Sequence, residues 1–259
     1  MRHLISPLDF SVEELDRLMD LANDIEANPQ KYAHVCDGRI LATLFYEPST
    51  RTRLSFESAM SRLGGKVIGF SSASASSAAK GESVADTIRM VSCYTDICAM
   101  RHPKEGAPLV ASLKSSIPVI NAGDGKHQHP TQAMLDLYTI RKHFGHLAGL
   151  KVAIVGDLAH SRVCGSLAPA LKTMGAEVVL VGPPTFQVDD PEWFGCPQTW
   201  SLDEVIDDVD VVYMLRVQLE RMEGATIPSR REYNRLYGLD MNRVHRMKEN
   251  AIICHPGPM

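Results

Sequence analysis

Short apolar runs alternate with amphipathic helical patterns along most of the chain, and this alternation constrains the fold more than any other feature. Ile40–Tyr46, Lys66–Phe70, Thr95–Met100 and Pro118–Ala122 read as strands, and Thr52–Leu63, Ser83–Ser92, Ala107–Ser115 and Pro130–Phe144 as helices. Ahead of them, Ser11 with Glu14 three residues on makes a capping box, and Leu15, Leu18, Met19 and Ala22 form a helical stripe running toward Pro29. A second series follows Gly149, with strands Val152–Val155, Glu177–Val181, Asp210–Leu215 and Ala251–Cys254 and a helix over Arg162–Met174. Repeated β-α units imply parallel sheets covered on both faces. The expected fold is therefore α/β, with two doubly wound parallel-sheet domains over residues 1–145 and 146–259. A length of 259 residues suits two medium domains, at about 150 residues each.

Composition narrows the function by exclusion. With 44% hydrophobic and 22% charged residues the chain reads as a soluble globular protein. Its 27 Lys and Arg against 31 Asp and Glu leave a net charge of −4, so any anion site must come from local arrangement, and nucleic acid is not an expected partner. Six scattered cysteines without a C-x-x-C pair read as reduced thiols in a cytoplasmic protein rather than zinc ligands. No apolar run reaches membrane-spanning length, and the start Met1 to Pro7 lacks the apolar core of a signal peptide.

Residues Glu47 to Glu57 place two arginines and several hydroxyls where a strand gives way to a helix. Free N–H groups and the positive end of the helix dipole meet there, so Ser49, Thr50, Arg51 and Thr52 outline a phosphate cradle. Ordinary helix capping is the competing reading, but a second arginine and a third hydroxyl exceed what a cap needs. The G-x-x-x-x-G-K-[ST] pattern is absent, which leaves ATP-type binding without support. Gly156 to Ser161 likewise lacks G-x-G-x-x-G, so a dinucleotide is not expected despite the Rossmann-like topology.

Four further polar clusters fall at strand ends, where open α/β sheets bind ligands: Arg101-His102-Pro103, Asp124 to Gln132, His160-Ser161-Arg162 and Arg216-Val217-Gln218. A metal at Asp124, His127 and His129 is disfavoured by the arginines expected nearby. Neutral His129, before Pro130 at a helix start, suits donation to a carbonyl oxygen instead. Ser71 to Glu82 is nearly all Ser and Ala, too poor in apolar surface to order itself, and reads as either a linker or a mobile functional loop carrying Lys80.

Taken in order, Phe45 to Arg53, Lys80-Gly81-Glu82-Ser83, Met100 to Pro103, His129 to Gln132, Arg216-Val217-Gln218 and His255-Pro256-Gly257-Pro258 resemble the motifs of aspartate carbamoyltransferase catalytic subunits, within the aspartate/ornithine carbamoyltransferase family. The resemblance covers nearly the whole chain. It implies transfer of the carbamoyl group of carbamoyl phosphate to L-aspartate in pyrimidine biosynthesis, without metal or organic cofactor. By that resemblance Ser49, Thr50, Arg51, Thr52 and Arg101 hold the phosphate; Thr52, Arg101 and His129 polarise the carbonyl; and Gln132 with the carbonyls of Gly257 and Pro258 holds the amino group. Arg162, Arg216 and Gln218 grip the aspartate carboxylates. Ser76 and Lys80 are the residues that the family inserts into a neighbouring subunit's site, Lys80 also reaching aspartate, which implies a homotrimer with shared sites. Regulatory or dihydroorotase partner chains are compatible with the resemblance. No side chain is assigned as general base, because the departing phosphate can take the amine proton.

Ornithine carbamoyltransferases resemble the same Ser-Thr-Arg-Thr-Arg stretch but carry a late His-Cys-Leu-Pro motif, where this chain has His255 to Pro258. Arg216-Val217-Gln218 also suits a dicarboxylate better than a cationic side chain. The chain stops at Met259, whereas family members continue and return a helix to the first domain. The second domain is therefore expected to be incomplete at its C-terminus, the alternative being an inactive or assembly-only relative.

Overall fold

The computed structural model describes residues 1–190, 195–217 and 229–257. The chain forms two compact units, Met1–Thr131 and Gln132–Met259. In the first, helices α1 (Val12–Ala27) and α2 (Pro29–Tyr32) precede an alternation of β1 (Ile40–Phe45), α3 (Thr50–Arg62), β2 (Lys66–Phe70), α4 (Val84–Val91), β3 (Ile97–His102), α5 (Ala107–Ser112) and β4 (Val119–Asp124). The strands pair in parallel in the order β2-β1-β3-β4. Leu4 adds a parallel bridge at Ile120, beyond the β4 edge.

Local chemistry accounts for these elements. At α1 the Ser11 hydroxyl accepts the Glu14 N–H at 3.3 Å while Glu14 accepts the Ser11 N–H at 2.9 Å, closing the expected capping box. Pro29 does not simply end the helical region. It opens α2, because a proline at the first helical position loses no intrahelical hydrogen bond. Residues 41 to 45 of β1 are all buried, as a central parallel strand requires, and successive side chains feed opposite faces of the sheet. Ala42, Leu44, Ile88 and Met100 pack on one face, and Leu41, Met60 and Ala99 on the other.

The Ser/Ala segment departs from expectation. It forms two 3₁₀ turns, Ala73–Ala75 and Ser77–Lys80, and Ala73 and Ala78 pack against the first core cluster. The Ser76 hydroxyl donates to the Ala73 carbonyl at 2.9 Å and accepts the Ala78 N–H at 3.3 Å. Small side chains let the backbone approach the core, and serine supplies the backbone with partners that apolar area alone did not promise.

The second unit comprises α6 (Pro130–Phe144), whose first turn crosses from the first unit, then β5 (Lys151–Val155), α7 (Arg162–Thr173), β6 (Glu177–Val181), β7 (Gln198–Thr199), β8 (Val211–Met214), α8 (Arg230–Tyr237), α9 (Met241–Arg246) and β9 (Ile252–Cys254). Its sheet is parallel in the order β7-β6-β5-β8-β9. Ala153, Val155, Val181, Leu202, Ile206, Val212 and Tyr237 form a core cluster. In each unit the parallel strands bring all their carboxyl ends to one edge, the edge where such sheets take ligands.

Candidate active site

In the first unit the site grows from the ends of β1, β3 and β4. The register pairs Phe45 with Arg101, and the Tyr46 N–H donates to the Arg101 carbonyl at 2.9 Å, so the residues following β1 lie beside the last residues of β3. Ser49 takes the N-cap position of α3 with extended backbone, yet its hydroxyl makes no cap hydrogen bond. Capping is thus not its role, and the orphan N–H groups of the first turn keep their capacity for an anion.

The two arginines of the motif separate. Arg53 donates through Nε to Glu57 at 2.6 Å, one turn on, and Glu57 also accepts from the Thr43 hydroxyl at 3.2 Å, so Arg53 is bound into the packing of α3 on β1. Arg51 and Thr50 stand exposed at the helix start. Arg101 reaches the start of α3 from β3: its Nε donates to Glu47 at 2.7 Å and its Nη1 to the Thr52 hydroxyl at 3.4 Å. Its side chain is 13% exposed, so the Glu47 pair is largely withdrawn from water and fixes the direction of the guanidinium fork.

Beside Arg101, His102 is buried, and burial pulls its pKa down, with the Lys104 N–H bound to its Nδ1 at 2.9 Å. At the end of β4, Asp124 is fully buried. Its Oδ1 accepts from Asn121 Nδ2 at 3.0 Å and the Gln128 N–H at 2.9 Å, and its Oδ2 from the Gly106 N–H at 2.8 Å and His127 Nδ1 at 3.1 Å. Burial opposes the charge, but the bonds from His127, Asn121 and the Gly106 N–H outweigh it and hold the carboxyl below its ordinary value. This knot shapes the loop that delivers His129, itself buried, with Nδ1 3.4 Å from the Thr131 hydroxyl. Ser76 lies between the two 3₁₀ turns after the edge strand β2 and Lys80 ends the second; Lys80 is exposed and Gly81, at φ +90, closes its turn in a left-handed conformation.

In the second unit, β5 and β8 are neighbours, and the Leu215 N–H donates to the Val155 carbonyl at 2.7 Å. The loops carrying Arg162 and Arg216 therefore leave adjacent strand ends. Asp157, fully buried, binds His160 Nδ1 at 2.7 Å; Ser161 caps α7; and Arg162 is buried in that helix's first turn. After β9, the Gly257 N–H donates to His255 Nδ1 at 2.8 Å. Gln132 sits in α6 with its Nε2 3.0 Å from Asp136 Oδ1. Gln218 and Pro258 lie outside the described residues.

Sequence reasoning missed three contributors. Glu47 was read as part of a motif and not as the partner of Arg101, 54 residues away. Asp136 stands one helical turn beyond Gln132, a spacing that signals a bond once α6 is assigned. Tyr213, inside β8, carried no signal. Among the described residues no group of three His, Cys, Asp or Glu side chains is arranged to hold a metal ion, and no helix is long and apolar enough to cross a membrane.

Two parallel α/β units whose strand ends carry arginine, histidine and hydroxyl groups define a protein that binds small anionic molecules. Residues 2–142 match the family model described as the carbamoyl-P binding domain of aspartate/ornithine carbamoyltransferase, and residues 148–259 match its Asp/Orn binding domain. A catalytic subunit of aspartate carbamoyltransferase from Clostridium kluyveri is 47% identical over 268 residues, covering 99% of this chain and 86% of that protein. Aspartate transcarbamoylase from Trypanosoma cruzi, solved with carbamoyl aspartate and phosphate, superposes with a TM-score of 0.89 at 34% identity over 99% of this chain and 85% of that one. The catalytic subunit from M. jannaschii gives 0.85 at 43% identity, over 100% and 87%. The chain belongs to the aspartate/ornithine carbamoyltransferase family.

Proposed function

We propose that this chain transfers the carbamoyl group of carbamoyl phosphate to the amino group of L-aspartate, yielding N-carbamoyl-L-aspartate and phosphate, as a cytoplasmic step of pyrimidine biosynthesis. The observation that carries the reading is the hydrogen bond from Arg101 to Thr52, which joins two motifs 49 residues apart at the mouth of a helix. Near full-length similarity to aspartate carbamoyltransferase catalytic subunits supports the choice of aspartate.

In this reading residues 1–145 bind carbamoyl phosphate and residues 146–259 bind aspartate. The N–H groups at the start of α3, with Ser49, Thr50, Arg51 and Thr52, hold the phosphate, and Arg101 closes over it. Thr52, Arg101 and His129 donate to the carbonyl oxygen as it gains negative charge when the amine attacks. Gln132 and the carbonyls of Gly257 and Pro258 take the carbamoyl amino group; Arg162, Arg216 and Gln218 take the two carboxylates. Phosphate then leaves with the electron pair of the broken C–O bond and accepts the amine proton. Preorganisation supplies the rate: the cations stand in place before charge develops, and holding both substrates removes the entropy of their encounter. Ser76 and Lys80 serve a neighbouring subunit, so the active form is a homotrimer.

The test is Arg101→Ala. Loss of one preorganised donor to a developing oxyanion should lower kcat by about 10²- to 10³-fold. An Arg101→Ala protein with turnover within about threefold of the parent would refute the assignment. Offering aspartate and ornithine side by side checks the acceptor.

A further inference from the structure

Within the second unit, Asp136 is a buried carboxyl whose two oxygens are both engaged. Tyr213 donates its hydroxyl to Oδ2 at 2.7 Å, and Gln132 donates Nε2 to Oδ1 at 3.0 Å. Tyr213 comes from β8, 77 residues away, and its side chain is fully buried. A buried acid on the inner side of a helix needs such partners, yet an apolar pair would satisfy the packing without the desolvation cost.

A carboxylate offers acceptors only, whereas a glutamine amide has a donor end and an acceptor end that differ little in shape. Whatever fixes which end faces inward also fixes which end faces outward. We propose that Asp136, anchored by Tyr213, is a positioning residue that holds the Gln132 amide with Nε2 inward and so presents Oε1 to the amino group of carbamoyl phosphate. This rests on the function proposed above. A flipped amide would set an NH2 against the substrate's NH2, and both would lose a partner. The device therefore selects a carbamoyl group over an acyl group of the same size that carries a methyl.

Burial pushes the Asp136 pKa up to about 7, with the Tyr213 and Gln132 hydrogen bonds opposing the rise. Above that value the carboxylate only accepts; below it the acid carries a proton of its own and no longer dictates the amide's orientation. Among the described residues the other titratable groups facing it are Tyr213, raised by burial, and Cys254 of β9, pushed up to about 11, so neither changes charge between pH 6 and 8.

The experiment compares carbamoyl phosphate as substrate with acetyl phosphate as competitive inhibitor at pH 8, since acetyl phosphate has a methyl in place of the amino group. Asp136→Asn keeps the volume but supplies a donor as well as an acceptor. It should reduce the ratio of the acetyl phosphate inhibition constant to the carbamoyl phosphate KM by about tenfold, the worth of one well-placed hydrogen bond, with the inhibition constant of inorganic phosphate unchanged. Tyr213→Phe, which leaves Asp136 in place but unanchored, should lower the ratio by about threefold. In the parent protein the ratio should fall between pH 8 and pH 6, and in Asp136→Asn it should stay flat. A ratio unchanged in both variants, or equal weakening of carbamoyl phosphate, acetyl phosphate and phosphate, overturns the inference while the proposed function stands. A parent protein that turns over no carbamoyl phosphate overturns both.

Discussion

The Asp124 knot offers a sharp test of how the first unit holds the loop that carries His129. Its two oxygens accept from four donors at 2.8 to 3.1 Å, two per oxygen. Replacement by asparagine preserves shape but converts one oxygen into an NH2. Turned one way, that NH2 faces two donors, Asn121 and the Gln128 N–H; turned the other, it faces the Gly106 N–H and His127, whose neutral ring can present Nδ1 as an acceptor, so only the Gly106 N–H is left unpaired. The amide should take the second orientation, and at about 1–3 kcal/mol for one donor left unpaired Asp124→Asn should cost about 1–3 kcal/mol, with Asp124→Ala, which leaves all four groups without an acceptor, costing more. Denaturant unfolding followed in the first unit measures this, and the variant should also lose turnover because His129 is delivered by the same loop. The pH dependence has a defined sign. The Asp124 pKa is depressed on folding, so its contribution is present above the unfolded value near 3.8 and is lost as pH falls through the folded value. The parent should therefore lose its advantage over Asp124→Asn on acidification below about pH 4. A loss under about 0.5 kcal/mol at pH 7 would show that the four bonds do not act together and would refute the reasoning.

His127 titrates in the opposite sense. The Asp124 hydrogen bond raises its pKa against the smaller effect of burial, so the stability that separates the parent from His127→Gln should be full below pH 6.5 and decline as pH rises through the folded value, which thermal melts across pH 5.5 to 9 will follow. In the second unit, the buried Arg243 donates to both oxygens of Asp203, at 3.1 and 2.7 Å, and to the Gly238 carbonyl at 2.6 Å, joining α8, α9 and the turn at Leu202–Glu204. Arg243→Met should destabilise by about 2–4 kcal/mol in denaturant unfolding, and Arg243→Lys, which restores charge but not the planar fork, should recover less than half of it.

The framework of both sheets was legible because its signal is short in range. Buried strands announce themselves as apolar runs, and the expected strands agree with the observed ones to within about two residues at each end. What escaped was short or irregular. The strand β7 has two residues, Gln198 and Thr199, and owes its existence to the adjacent edge of β6 rather than to its own pattern. The helices α8 and α9 are brief and polar, and the packing of Tyr233, Tyr237 and Arg243 holds them where propensity alone is weak. The order of the Ser/Ala turns is hidden for the converse reason: composition registers their lack of apolar area and not the backbone bonds that serine provides.

The same distinction separates the functional side chains from those that hold them. Arg51 and Arg53 are chemically identical and two positions apart, yet only Arg53 has a carboxylate at the i+4 position, and it is Arg53 that is drawn into the packing of its own helix. A cation with a local partner is satisfied by the fold; a cation without one at helical spacing keeps its charge for a ligand or a distant strand. Arg101 illustrates the second case, since Glu47 and Thr52 reach it only because parallel pairing sets β1 beside β3. Asp136 combines the two, with Gln132 at helical spacing and Tyr213 supplied by β8. The residues proposed to touch substrate are therefore visible as motifs, whereas partners such as Glu47 for Arg101 and Tyr213 for Asp136 become visible only once the sheet order is known.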